Sequence, residues 1–209
     1  MCTGERGAAA SSALGEQPFV NTAKGYQINI PSGWRSKQKS GADVLFEDPD
    51  RPSSTLGVTV APVRVQTLAA FGDVGVVAEK LVAAEKNKAR FLGCTAPPER
   101  PSANPGLPLS HDMRQAPSQV ASTLQESTLA VDLLAQRSRA QEDGKVLYEY
   151  EYELASTRGR KRILNSVSIT AGRLIIVNAQ CKCGTETCSA EGEDVAAVLR
   201  QSVATFAVL

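Results

Sequence analysis

The stretch DGKVLYEYEYEL, residues 143–154, decides the fold. Tyr148, Tyr150, Tyr152 and Leu154 alternate with Glu149, Glu151 and Glu153, the two-residue period of a β-strand with unlike faces. Asp143-Gly144 ahead of it is a hairpin turn, because Asp and Gly tolerate the positive φ that tight two-residue turns demand. The preceding LAVDLLAQRSRA then pairs with it as an antiparallel neighbour. On this reading the three glutamates form the solvent face of the strand, about 7 Å apart along it.

Working toward the C-terminus, STRGRKR makes the next connection, and Ile163 to Thr170 and Arg173 to Gln180 form a further hairpin turning at Ala171-Gly172. A helix is expected over Asp194 to Ala204, with Val195, Val198, Leu199 and Val203 on one stripe and Phe206 closing it. Toward the N-terminus the strands are Leu56 to Val63, Asp43 to Glu47 and Tyr26 to Ile30, read as a meander. The last of these ends at Pro31 and Gly33, just before the only tryptophan, Trp34. A second helix starts after Asp73, a good N-cap, and carries Val74, Val77, Ala78, Leu81 and Val82 on one face. Thr95 to Gln119 holds six of the eleven prolines and no periodicity, and reads as a long exposed loop.

Strand runs and helices are segregated rather than alternating. That argues for an α+β domain, an antiparallel sheet covered by helices, over a doubly wound parallel fold. The expected organisation is a flexible segment over residues 1–18 and one domain over 19–209, with the proline-rich insertion at 95–119.

The 209 residues are 42% hydrophobic, enough for a core, and carry a net charge of +1. A near-neutral chain argues against a general nucleic-acid binder. No run of apolar residues reaches the length of a transmembrane helix. Met1–Gly15 is small and polar, without the basic start and apolar run of a secretory signal.

Candidate chemistry is sparse, and no intrinsic cofactor is expected. The one histidine, His111, lies in the proline-rich loop, a poor place to hold a general base. Three cysteines cluster in CKCGTETC. They are read either as a small-loop disulfide, Cys183 to Cys188 or Cys181 to Cys188, or as unbridged thiols, whereas a zinc site would want a fourth ligand not found nearby in sequence. Arg158, Arg160, Lys161 and Arg162 put four positive charges into five residues, either a solvated hairpin tip or a dock for an acidic partner surface. Glu47, Asp48 and Asp50 in FEDPD are the best candidates for a cation, although a turn at Pro49 also explains them. Trp34 is expected to anchor the edge of the core, with docking as the other role for an exposed ring.

Taken in order, GYQINIPSGW, VLFEDP, LGVTVAPV, FGDVGVVAEKL, DGKVLYEYEYEL, RILNSVSITAGRLIIVNAQ and VLRQSVATFAV resemble the PsbP-like superfamily over Phe19 to Leu209, apart from the proline-rich insertion. The type member of that family is the extrinsic oxygen-evolving-enhancer subunit of photosystem II. The resemblance implies an α/β/α sandwich, a central antiparallel sheet with helices on both sides. It also implies residence in the chloroplast thylakoid lumen, peripheral attachment to a photosynthetic membrane complex, and no catalysis by the protein itself. Any part in calcium and chloride retention would be indirect, at a partner's manganese cluster. The segment before Gly25 is shorter than the family's N-terminal arm, Thr95 to Gln119 is enlarged, and CKCGTETC replaces a basic-aromatic segment. These departures favour an accessory or assembly factor of photosystem II, photosystem I or an NDH complex over the type subunit. Two other readings are a small-GTPase-binding factor of nuclear transport, which shares the fold, and a thiol-based redox or metal protein using Cys181, Cys183 and Cys188.

Overall fold

A computed structural model describes residues 16–88, 128–184 and 188–209. His111, the proline-rich insertion and the first fifteen residues lie outside the described residues.

The second half of the chain forms the large strands. These are β6 (Thr128–Ala140), β7 (Val146–Ser156), β8 (Gly159–Thr170) and β9 (Arg173–Lys182). Each pairs antiparallel with the next. The Ala171-Gly172 turn is the expected one, with φ +48° and +70°, whereas the first hairpin turns through three residues, 142–144, between Gln141 and Lys145, with positive φ (+82°) at Gly144 and not at Asp143. The first half contributes β1 (Glu16–Asn21), β2 (Tyr26–Pro31), β3 (Arg35–Lys37), β4 (Val44–Glu47) and β5 (Thr55–Pro62). Two helices, α1 (Val74–Lys88) and α2 (Ala190–Ala204), and a short β10 (Ala207–Val208) complete the fold.

The strands make two sheets. Seven lie in the order β3-β4-β5-β9-β8-β7-β6, and three in the order β1-β2-β10. The opening meander is therefore only partly correct. β4 and β5 pair as expected, but β2 leaves them for β1 and β10. Pro31 and the positive-φ Gly33 break β2 and send the chain to a different sheet. Strand β1 was not anticipated: EQPFVN carries Pro18 and no alternation. It forms on the free edge of the small sheet, where a residue without an N–H is tolerated. It begins at Glu16, inside the segment expected to be flexible.

The large sheet has one helix on each face. Helix α1 starts where Asp73 Oδ1 accepts from the Val76 N–H at 2.9 Å. It packs Val74, Val77, Ala78 and Leu81 against Tyr148, Tyr150 and Ile169. Helix α2 starts four residues earlier than its apolar stripe suggests, because Ser189 caps it, Oγ accepting from the Gly192 N–H at 3.2 Å. On the opposite face α2 joins the small sheet: Val195, Ala196, Leu199 and Val203 pack with Tyr26, Ile28, Leu56, Val58 and Val177. Buried Tyr26 ties the two sheets through a 2.6 Å hydrogen bond from its hydroxyl to Asp43. Among the described residues no helix is long and apolar enough to cross a membrane.

Candidate functional site

The alternation in β7 places its tyrosines toward α1 and its glutamates toward α2. The glutamates are not a solvent face. Glu149 is 5% exposed, and Glu151 and Glu153 keep 14% of their side-chain surface. The reason is cross-strand register followed by coverage. Arg137 stands opposite Glu149, and Arg162 opposite Glu153. Arg137 and Arg139 both bond Glu149. Arg162 donates to Glu151 and to Glu153, each at 2.7 Å. Helix α2 then closes over the row. Arg200 donates to Glu151 and Glu193 at 2.7 Å each, and Glu193 also lies 3.3 Å from Arg162.

Burial works against ionisation of Glu151, but the hydrogen bonds from Arg200 and Arg162 outweigh it and hold the carboxyl below the usual glutamate range. Arg200 is held more firmly protonated by its bond to Glu151. For Arg162 burial disfavours the charge, and the bonds to Glu151 and Glu153 more than compensate. Such a network is costly to desolvate and costly to break once formed.

The basic segment thus divides. Arg158 is exposed at the turn and Lys161 is half-buried on β8. Arg162 is buried, and Arg160 reaches Glu153 at 3.3 Å. The segment is not a uniformly solvated tip, because residues 160 and 162 point to the face that α2 covers.

The cysteines sit at one end of the same network. Cys183 is bonded to Cys188, while Cys181 is free and buried. The bridge joins the end of β9 to the residue before the α2 cap. It rests against Gly192, where a Cβ would stand 3.1 Å from Cys188 Sγ and 3.2 Å from the Lys182 carbonyl oxygen. The Cys181 thiol lies 3.6 Å from the Gly192 carbonyl oxygen, and burial pushes its pKa up to about 11. A Glu153 carboxylate oxygen and the sulfurs of Cys183 and Cys188 all lie within 4.8 Å of one another.

Two clefts flank α2. One, of about 380 Å³, opens between α2 and the β6–β7 hairpin, with Arg137, Glu149, Leu164, Arg200 and Val203 among its walls. The other, of about 320 Å³, is lined by Trp34, Asp48, Pro49, Asp50, Asp194 and Val198. Half-buried Trp34 also packs against the main core. Of the FEDPD carboxylates, Glu47 is turned away and bonds Lys37 at 2.9 Å. Asp48 accepts from the Asp50 N–H at 3.0 Å, closing the turn. Sequence reasoning missed Asp194 and Glu193, which tertiary packing of α2 brings in. It also missed the pairing of the glutamate row: counting outward from a two-residue Asp143-Gly144 turn puts Ser138 opposite Glu149, whereas the observed hairpin pairs Gln141 with Lys145 and brings Arg137 there.

Comparison with known proteins gives a consistent picture. The PsbP family profile matches residues 15–102 and 109–208. PsbP domain-containing protein 2, chloroplastic, of Arabidopsis thaliana is 29% identical over 163 residues, 78% of this chain. The chain spans about half the length of that relative, 54%. The solution structure of cyanobacterial PsbP from Synechocystis superposes with a TM-score of 0.61 at 18% identity, covering 98% of each chain, which is a likeness of fold.

Proposed function

The chain belongs to the PsbP family, and from that premise we propose that it is a non-enzymatic accessory or assembly subunit, docking on a photosynthetic membrane complex from the thylakoid lumen. The observation that carries the reading is the family match, which spans both halves of the seven-stranded sheet rather than one motif. The chloroplast designation of the Arabidopsis relative supports the compartment. The oxygen-evolving side of photosystem II is the first candidate partner, ahead of photosystem I and an NDH complex. Any effect on calcium or chloride would be exerted at the partner's manganese cluster.

The site geometry agrees with a docking role. The charges beneath α2 are matched to one another, an arrangement that fixes the helix rather than activating a nucleophile. Contact with a partner falls to the exposed turn at Arg158 and to the cleft beside Trp34, where an aromatic face and the carboxylates of Asp48, Asp50 and Asp194 suit a basic side chain. Arg160 and Arg162 belong to the internal network, so reversing them would disturb folding before docking.

The test is co-migration. Solubilised thylakoids are resolved on a native gel and the chain is located by mass spectrometry. Migration with a photosystem names the partner. Migration only near the chain's own mass, with or without crosslinking, would remove the accessory-subunit reading.

A further inference from the structure

We propose that Cys183, Cys188 and Glu153 form a zinc site that exists only when the disulfide is reduced. Three observations converge on it. The two sulfurs and a Glu153 oxygen already lie within 4.8 Å of one another, so a small cation could touch all three after modest side-chain adjustment. The spacing C-x4-C falls within the range of cysteine pairs in zinc sites. And the electrostatics change with redox state. Among the described residues around Glu153, four carboxylates (Asp132, Glu151, Glu153, Glu193) meet three guanidinium groups (Arg160, Arg162, Arg200), so the network has no surplus positive charge while the disulfide is neutral. Two thiolates would add two negative charges beside Glu153 that the arginines cannot absorb, and a dication offsets them.

Thiolate ligands select zinc over calcium, which prefers six to eight oxygens. Glu153 can bind the ion without abandoning its arginines, because a carboxylate has about four lone-pair positions and here accepts from Arg160 and Arg162. Three protein ligands leave the fourth tetrahedral position to water. Cys181 stays outside the set, its sulfur directed to the Gly192 carbonyl.

The chemistry balances with a dithiol as reductant. The Cys183–Cys188 bond breaks and takes two electrons, the reductant's two thiols become its disulfide, and their two protons pass to the protein sulfurs. Zinc then displaces those protons to solvent.

The experiment uses the full chain, oxidised or reduced with dithiothreitol that is then removed under argon. Each sample is incubated with zinc chloride, freed of unbound metal and assayed for zinc, and the affinity of the reduced form is titrated. Expected are one zinc per reduced chain and none per oxidised chain. Cys181→Ser should still load, and Glu153→Gln, which keeps both thiols, should bind at least about tenfold more weakly. Cobalt loading provides a readout independent of stability: thiolate-to-cobalt absorption should appear in reduced wild type and vanish in Cys183→Ser, with far-ultraviolet circular dichroism confirming that the variant is folded. The proposal is overturned if the reduced chain retains no zinc, if Glu153→Gln binds as tightly as wild type, or if Cys181→Ser abolishes loading.

Discussion

The two faces of β7 are buried by opposite means. Toward α1, Tyr148, Tyr150 and Tyr152 are all under 8% exposed and stack on an apolar helix face. Toward α2, Glu149, Glu151 and Glu153 are nearly as well covered, each neutralised by arginines from β6, β8 or α2. One face gains mainly from removing apolar surface from water. The other must first offset the loss of hydration of its charges, and returns specificity of placement: α2 must sit where Arg200 meets Glu151 of β7 and Glu193 meets Arg162 of β8 at once. The polar atoms are also treated differently. Tyr148 donates to the Gly72 carbonyl at 3.2 Å, whereas the Tyr150 hydroxyl is buried with no partner among the described residues. Burial pushes the Tyr150 and Tyr152 hydroxyls to higher pKa, so both remain protonated.

The contrast can be broken most directly through the core beneath α2. Leu199 is fully buried between the helix and both sheets. Leu199→Ala should cost about 2–5 kcal/mol in urea unfolding, well above Val77→Ala on the half-buried face of α1. Equal losses would mean that the two helices are held alike.

A smaller effect tests the charged face. Glu151→Gln leaves Arg162 and Arg200 short of their carboxylate and should cost about 2–3 kcal/mol, less than for a fully buried pair because Arg200 is more than a third exposed. The sign with pH follows from the lowered pKa of Glu151. Its contribution is complete above the unfolded-state value, about 4.3, and is lost as pH falls through the depressed folded value. Melting temperatures of wild type and Glu151→Gln should therefore converge below pH 4; a constant gap down to pH 2 would refute the assignment.

The smallest expected effect lies on the tyrosine face. Tyr150→Phe removes a buried hydroxyl without a partner, so stability should change by no more than about 0.5 kcal/mol, and in the favourable direction if at all. A loss above 1 kcal/mol would show that this hydroxyl is satisfied after all.

Much of the skeleton was legible because hairpins advertise themselves locally. Gly144 and the Ala171-Gly172 pair supplied the positive φ, and strict alternation supplied the strands. The Asp73 cap and the apolar stripe of α2 were equally plain. Strands β1, β3 and β10 were not. They have six, three and two residues, too short or too irregular for periodicity, and they form because neighbouring strands offer open hydrogen-bonding edges. The disulfide partner was also undecided in sequence, since Cys181 and Cys183 share one strand face and differ only in which of them meets the loop before α2.

By itself the sequence determined an antiparallel, hairpin-built α+β chain and the division of β7 into a tyrosine face and a glutamate face. Only the tertiary structure decided that both faces are interior. A period of two sorts side chains to opposite sides of a sheet, but it carries no information about what will cover either side. Coverage came from α2, whose Arg200 lies 49 residues beyond Glu151, and that return turned a row expected in water into the buried electrostatic seam of the domain.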